Sequence, residues 1–219
     1  MVWIFQGFVF GCILQAVLSR RSFEVRLQES GNWSANEWIE FRGDIPRLKE
    51  FTSCHWEKRR YFSRRSDTIW AYCAIPIQRK HEFNCIQLSS ERDIVSANRD
   101  VLYFLYSHGV GNDAGNLGIK VQSYEQRSWN HICWIYSTAQ NANSLYYNGK
   151  LMSVEKGGAS FPFVPGTDSA DEYAFVIGQE PDSLRGGYTA SQAYYGSIAE
   201  FNLWDIVINE TTIKQMADG

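Results

Sequence analysis

The feature that most constrains this chain is a two-residue hydrophobic alternation, repeated in short runs along most of its length. The runs are Phe23–Gln28, Trp38–Arg42, Phe51–Trp56, Thr68–Cys73, Cys85–Leu88, Val101–Tyr106, Leu117–Val121, Trp129–Tyr136, Leu145–Tyr147, Leu151–Val154, Tyr173–Ile177 and Ser197–Trp204. Alternation at period two places one set of side chains on each face of a pleated strand. Turn residues separate the runs, and Tyr147-Asn148-Gly149-Lys150 is a type I′ hairpin signal because Asn and Gly tolerate positive φ. Many short strands joined by turns predict an all-β sandwich, not alternating βα units. Aromatic residues make up 15% of the chain, which suits half-buried sheet surfaces. One helix is expected, from Asn209 as its cap to about Met216, with Ile213 and Met216 at helical spacing.

The first charges after the initial Met are Arg20 and Arg21, and the run before them is apolar. With Val17 and Ser19 at the −3 and −1 places of a small-residue cleavage site, residues 1–19 read as a secretory signal peptide, although no basic residue precedes the run. The apolar stretch is short for a transmembrane span and has no second copy. Residues 20–219 then form one domain with room for a sizeable core. A formal net charge of −3 argues against a general nucleic-acid binder.

Of the five cysteines, Cys12 leaves with the signal peptide. Cys54, Cys73, Cys85 and Cys133 remain, an even set with three connectivities, suited to disulfides in an oxidising compartment. No C-x-x-C pair suggests zinc. Asn32-Trp33-Ser34 and Asn209-Glu210-Thr211 are glycosylation sequons, and Asn32 is the preferred acceptor because the Asn209 amide is engaged as a cap.

Gly109-Val110-Gly111-Asn112-Asp113-Ala114 fits a dinucleotide fingerprint, but the fingerprint must open a helix. Gly115-Asn116-Leu117-Gly118 follows, so the segment reads as a hairpin loop. His55, His81, His108 and His131 show no metal spacing, and His131, in phase with Cys133, reads as a structural core residue. Lys58, Arg59, Arg60, Arg64 and Arg65 surround Tyr61 and Phe62. This basic cluster reads as a solvated loop or as a site for sulfated glycans or anionic phospholipid.

The chemically richest stretch is Ile177–Asp205. Glu180 and Asp182 flank Pro181, Gly186-Gly187 allows a sharp return, and Gln192 adds an amide oxygen. Two carboxylates, an amide and free carbonyls form a hard oxygen set that suits Ca²⁺ better than Zn²⁺; a plain solvated loop is the competing reading. A sandwich glycosidase would need E-x-D-x-x-E, and Arg185 occupies the place of the second Glu. The chain is therefore not expected to be an enzyme.

G-Q-E-x-D-S, G-G, S-Q and W-D in this stretch, together with Trp129-Asn130-His131-Ile132-Cys133, resemble the signature of the pentraxins from about Trp38 onward. The resemblance implies a two-sheet antiparallel jelly roll, like concanavalin and laminin-G domains, with one short helix near the C-terminus. It implies Cys54–Cys133 as one disulfide, leaving Cys73–Cys85, worth about 4 and about 3 kcal/mol on a chain-entropy estimate. It also implies a secreted, Ca²⁺-dependent, lectin-like pattern-recognition protein of innate immunity. Its partners would be phosphoryl, glycan or other anionic surface groups, and its protomers would assemble into a cyclic homo-oligomer. A further C-terminal strand segment is implied beyond Gly219.

Residue by residue, Glu180, the Pro181 carbonyl, Asp182 and Gln192 fall on the family's calcium positions, and Asn84 on an earlier one. Thr189 stands where a further carboxylate is expected, which predicts one ion and not two. Ser89 falls where an aromatic packs on choline in C-reactive protein, which argues against phosphocholine. The alternative is a calcium-independent adhesion module of laminin-G or pentraxin type, part of a receptor ectodomain that binds proteins.

Overall fold

The structure, a computed structural model, describes residues 24–31, 34–41, 48–61, 67–75, 84–92, 102–110, 115–121, 124–156, 172–183 and 185–219. The signal-peptide reading at 1–19, Asn32, Arg64, Arg65 and the loop 111–114 lie outside these residues. All the alternating runs become strands: β1 (Glu24–Leu27), β2 (Ile39–Phe41), β3 (Phe51–Arg59), β4 (Asp67–Ile75), β5 (Asn84–Arg92) and β6 (Leu102–Val110). They continue as β7 (Gly115–Val121), β8 (Asn130–Ser137), β9 (Ala142–Tyr147), β10 (Lys150–Lys156), β11 (Glu172–Ile177) and β12 (Gly196–Trp204), before helix α1 (Glu210–Asp218). Two six-stranded antiparallel sheets result, ordered β1-β12-β3-β8-β9-β10 and β2-β11-β4-β5-β6-β7.

The core between the sheets is aromatic. Trp70 of one sheet lies 5.3 Å from Trp134 of the other, and Phe51 meets Trp134 edge-on at 4.8 Å. Ile132, Trp134 and Tyr136 belong to this core, whereas Cys133 and Ile135, their neighbours in β8, belong to a second cluster with Ile213 of α1. The helix thus covers the far side of the first sheet. Asn209 caps it, its Oδ1 accepting from the Thr212 amide at 3.0 Å. Between β9 and β10, Asn148 and Gly149 take φ of 47° and 73°, as the I′ signal requires. β6 and β7 pair antiparallel, the hairpin expected there in place of a nucleotide fingerprint.

Disulfides join Cys54 to Cys133 and Cys73 to Cys85. Both join directly opposed residues of neighbouring strands, Cys54 across β3 and β8 and Cys73 across β4 and β5. His131 is buried, as its phase with Cys133 implies, but on the side of β8 away from the main core. Its ring lies 5.1 Å from that of Trp56, and Nε2 is 3.7 Å from the Cys133 sulfur.

Arg59 overturns the reading of the basic cluster. It is fully buried, its guanidinium paired with Glu57 at 3.1 Å and with Asp67 at 3.0 Å. The Tyr194 ring lies 4.7 Å from its carbon, and Tyr124 donates to Glu57 at 2.8 Å. β3 continues three residues past the expected end at Trp56, so Glu57 and Arg59 share one inward face and Lys58 the other. Burial alone would raise the Glu57 carboxyl; the Arg59 charge and His55 hold it down to about 2. Arg60, by contrast, is exposed. Among the described residues no helix is long and apolar enough to cross a membrane.

Candidate functional site

The oxygen-rich stretch forms a loop across the outer face of the second sheet. Its root is fixed by backbone bonds: Gly178 donates to the Ile69 carbonyl at 2.9 Å, and Tyr194 donates to the Gly178 carbonyl at 3.0 Å. Gly178 has φ of 91°, and a Cβ there would fall 2.4 Å from Leu27 Cδ1. Gln179, fully buried, donates from Nε2 to the Ser34 carbonyl at 3.1 Å. The loop is therefore held at both ends before its carboxylates begin.

Ser183 and Gly186 exchange reciprocal backbone bonds of 3.2 and 3.1 Å, closing a tight turn. The expected sharp return depends on Gly187, with φ of 74°, and on Arg185 at φ of 57°. A Cβ on Gly187 would fall 2.7 Å from Asp182 Cβ, so only glycine lets the returning strand pass this close. Pro181 is buried while Asp182 is exposed, so the turn presents the Asp182 carboxylate to solvent.

Glu180 accepts at Oε1 from Gln87 Nε2 at 3.2 Å and at Oε2 from Gln192 Nε2. The Thr189 hydroxyl donates to Gln192 Oε1. Burial pushes the Glu180 carboxyl above its ordinary range, and Asp182 adds to the rise, while the amides of Gln87 and Gln192 oppose it. A carboxylate penalised by burial and by a like charge one residue away is where a bound cation gains most.

Of the residues expected from the sequence, Glu180, Gln192 and Thr189 thus come together, with Asp182 on the adjoining turn. Asn84 opens β5, paired with Ala74 and Val110, three positions before the residue that meets Glu180. That residue, Gln87, was missed. Its only sequence signal is a polar side chain alternating with core Ile86 and Leu88, which marks the outer face but not its partner. Ser89 is buried, with its hydroxyl 3.3 Å from that of Thr68, so no aromatic stands there. Arg185, in place of a second glycosidase Glu, pairs through Nε with Glu40 at 2.9 Å.

Among the described His, Cys, Asp and Glu side chains, the group close enough to hold a metal is Cys54, His131 and Cys133. The two sulfurs are spent in a disulfide, which leaves a lone imidazole. The loop suits a hard cation better in its donor chemistry: the half-buried Glu180 carboxylate is set against Gln192, and Asp182 lies exposed on the adjoining turn.

A disulfide-stapled antiparallel sandwich with an oxygen-rich loop on one outer face defines the class of the protein. The chain belongs to the pentaxin family, whose model matches residues 34–219. It is 28% identical over 178 residues to the neuronal pentraxin receptor of Homo sapiens, covering 81% of this chain and 31% of that one. C-reactive protein 1.4 of Limulus polyphemus is 26% identical over 178 residues, covering 80% of this chain and 64% of that one. The chain therefore spans less than a third of the receptor and just under two thirds of the Limulus protein. Among solved structures, a native heptameric SAP-like pentraxin from Limulus polyphemus superposes with a TM-score of 0.61 at 17% identity, covering 82% of this chain and 75% of that one. A sialidase CBM40 from Ruminococcus gnavus, bound to α2,3-sialyllactose, gives 0.53 at 12% identity, covering 78% and 84%. At such identities these likenesses speak to the fold.

Proposed function

We propose that this protein is a secreted, non-catalytic binding protein whose 180–192 loop holds Ca²⁺ and through it an anionic surface group. The observation that carries the reading is the half-buried Glu180 carboxylate, set beside Gln87, Gln192 and the Asp182 turn on the outer face of a pentraxin sandwich. Glu180, Asp182, Gln192 and the Pro181 carbonyl hold the ion, with Asn84 as the further ligand that the family pattern implies. When bound, the ion supplies a positive centre for a phosphoryl, carboxylate or sulfate group. Thr189 brings a hydroxyl where a carboxylate would add charge, so one ion binds, with a Kd on the order of 10⁻⁴–10⁻³ M as in extracellular modules.

Such a site is weak alone, and several copies in a ring gain avidity. The heptameric Limulus relative supports a cyclic homo-oligomer for this chain as well. With Arg59 withdrawn into the core, Arg60 and the partly exposed Lys58 are the described members of the basic cluster left to meet sulfated glycans at the surface.

The test is thermal unfolding with calcium and with chelator, on the wild type and on Asp182→Asn. Binding to the native state alone raises the melting temperature. A rise in the wild type that is lost in Asp182→Asn supports the loop. No rise in the wild type favours the calcium-independent adhesion module, and a rise that survives Asp182→Asn puts the ion elsewhere.

A further inference from the structure

The loop does not end at its carboxylates. Trp38, just ahead of β2, is 37% exposed, and its ring lies 4.6 Å from that of Tyr188 at an angle of 42°. Tyr188 sits between Gly187, which is folded against Asp182, and Thr189, which reaches Gln192. The aromatic pair therefore begins one residue from the cation-binding turn. It is also held in place. Glu40 of β2, two residues after Trp38, pairs with Arg185 at 2.9 Å, and Arg185 Nη2 donates to the Tyr173 carbonyl at 3.4 Å.

An indole usually hides its large apolar area in a core. Here a good part of one faces solvent, beside an oxygen-rich loop and a guanidinium that is 47% exposed. A pyranose ring matches these demands. Its C–H face is apolar enough to lie on an indole, and its hydroxyl rim offers acceptors to Arg185. From β2 to β5, where Gln87 meets Glu180, is three strand spacings, about 14 Å. One or two sugar units with an anionic substituent bridge from the ring pair to a cation held between those strands.

We propose that Trp38 and Tyr188 form a stacking subsite that takes the pyranose ring of a ligand whose anionic group the loop holds. The proposal rests on the calcium reading above for the anion, and on the ring pair for the sugar.

The experiment compares glucose 6-phosphate with methyl phosphate, which present the same phosphoryl group with and without a ring. Titrations are run on the full chain with calcium and with chelator, using wild type, Trp38→Ala and Trp38→Phe. With calcium, the wild type is expected to prefer the sugar phosphate by about tenfold. Trp38→Ala should bind the two alike while keeping its calcium-induced rise in melting temperature, and Trp38→Phe should retain part of the preference. Equal binding of the two phosphates by the wild type overturns the subsite, as does a full preference in Trp38→Ala. The wild-type comparison decides the matter even where Trp38→Ala fails to fold. Absence of the calcium-induced rise refutes the calcium reading separately; the sugar preference measured in chelator then stands or falls alone.

Discussion

Arg59→Met should be among the most damaging single changes in this chain. The guanidinium is fully buried and joins Glu57 of its own strand to Asp67 of the opposite sheet, at 3.1 and 3.0 Å. Methionine fills similar space but leaves two carboxylates in the interior without their cation. Removing one partner of a buried ion pair costs about 3–5 kcal/mol, and here two anions are stranded. For a domain of this size each kcal/mol moves the melting temperature by about 2–4 °C, so a fall of roughly 10–20 °C is expected. The assay is thermal unfolding at pH 7.5 and pH 5 in calcium-free buffer, with Arg60→Met as the control. Arg60 is exposed and its guanidinium reaches the Glu29 carbonyl at 3.4 Å, so the control should melt within about 2 °C of wild type. The pH dependence carries a second check. In the wild type Glu57 titrates near 2, so its stabilisation is fully present above 4.5 and does not change between pH 7.5 and 5. In Arg59→Met burial raises that carboxyl instead, protonation relieves the stranded charge, and the deficit against wild type should shrink at pH 5. A variant that melts within 2 °C of wild type, or whose deficit widens on acidification, would refute the reasoning.

Two further outcomes are expected. Burial, with a contribution from His55, lowers the His131 imidazole to about 4, so the fold favours its neutral form; stability is full above pH 6.5 and is lost as the pH falls through 4, by up to about 3 kcal/mol. Melting temperatures across pH 7.5–4 should show this slope in the wild type and a shallower one in His131→Gln; identical slopes would remove His131 as the cause. Gly187→Val should abolish the calcium-induced rise in melting temperature while lowering calcium-free stability by only about 1–3 kcal/mol, because the strain is confined to a turn at φ of 74°. A calcium response intact in that variant would show that the turn does not set the site.

Local pattern made most of the fold legible, and the reason is visible in β8. Its residues alternate between the two clusters, so Ile132, Trp134 and Tyr136 announce one face and Cys133 and Ile135 the other. What the pattern could not say is what covers each face, so the second cluster closed by Ile213 of α1 was not legible from β8 alone. Arg59 failed for a related reason. A run of charges after Trp56 reads as the end of a strand, because the chain alone does not reveal that Asp67 waits in the facing sheet. At the site, Glu180, Asp182 and Gln192 lie within one loop and could be read together. Gln87 could not, since 93 residues separate it from Glu180.

Two pairs of charges, each spaced by one residue, meet opposite fates here. Glu57 and Arg59 carry opposite signs on one strand face, so the pair can be drawn into the sandwich and closed by Asp67. Glu180 and Asp182 carry the same sign, and burial raises the first of them with no cation paired to it among the described residues. Local amides from Gln87 and Gln192 offset part of that cost but bring no positive charge. The two carboxylates therefore keep part of their mutual repulsion, and that is the cost which the divalent cation proposed for this loop would relieve.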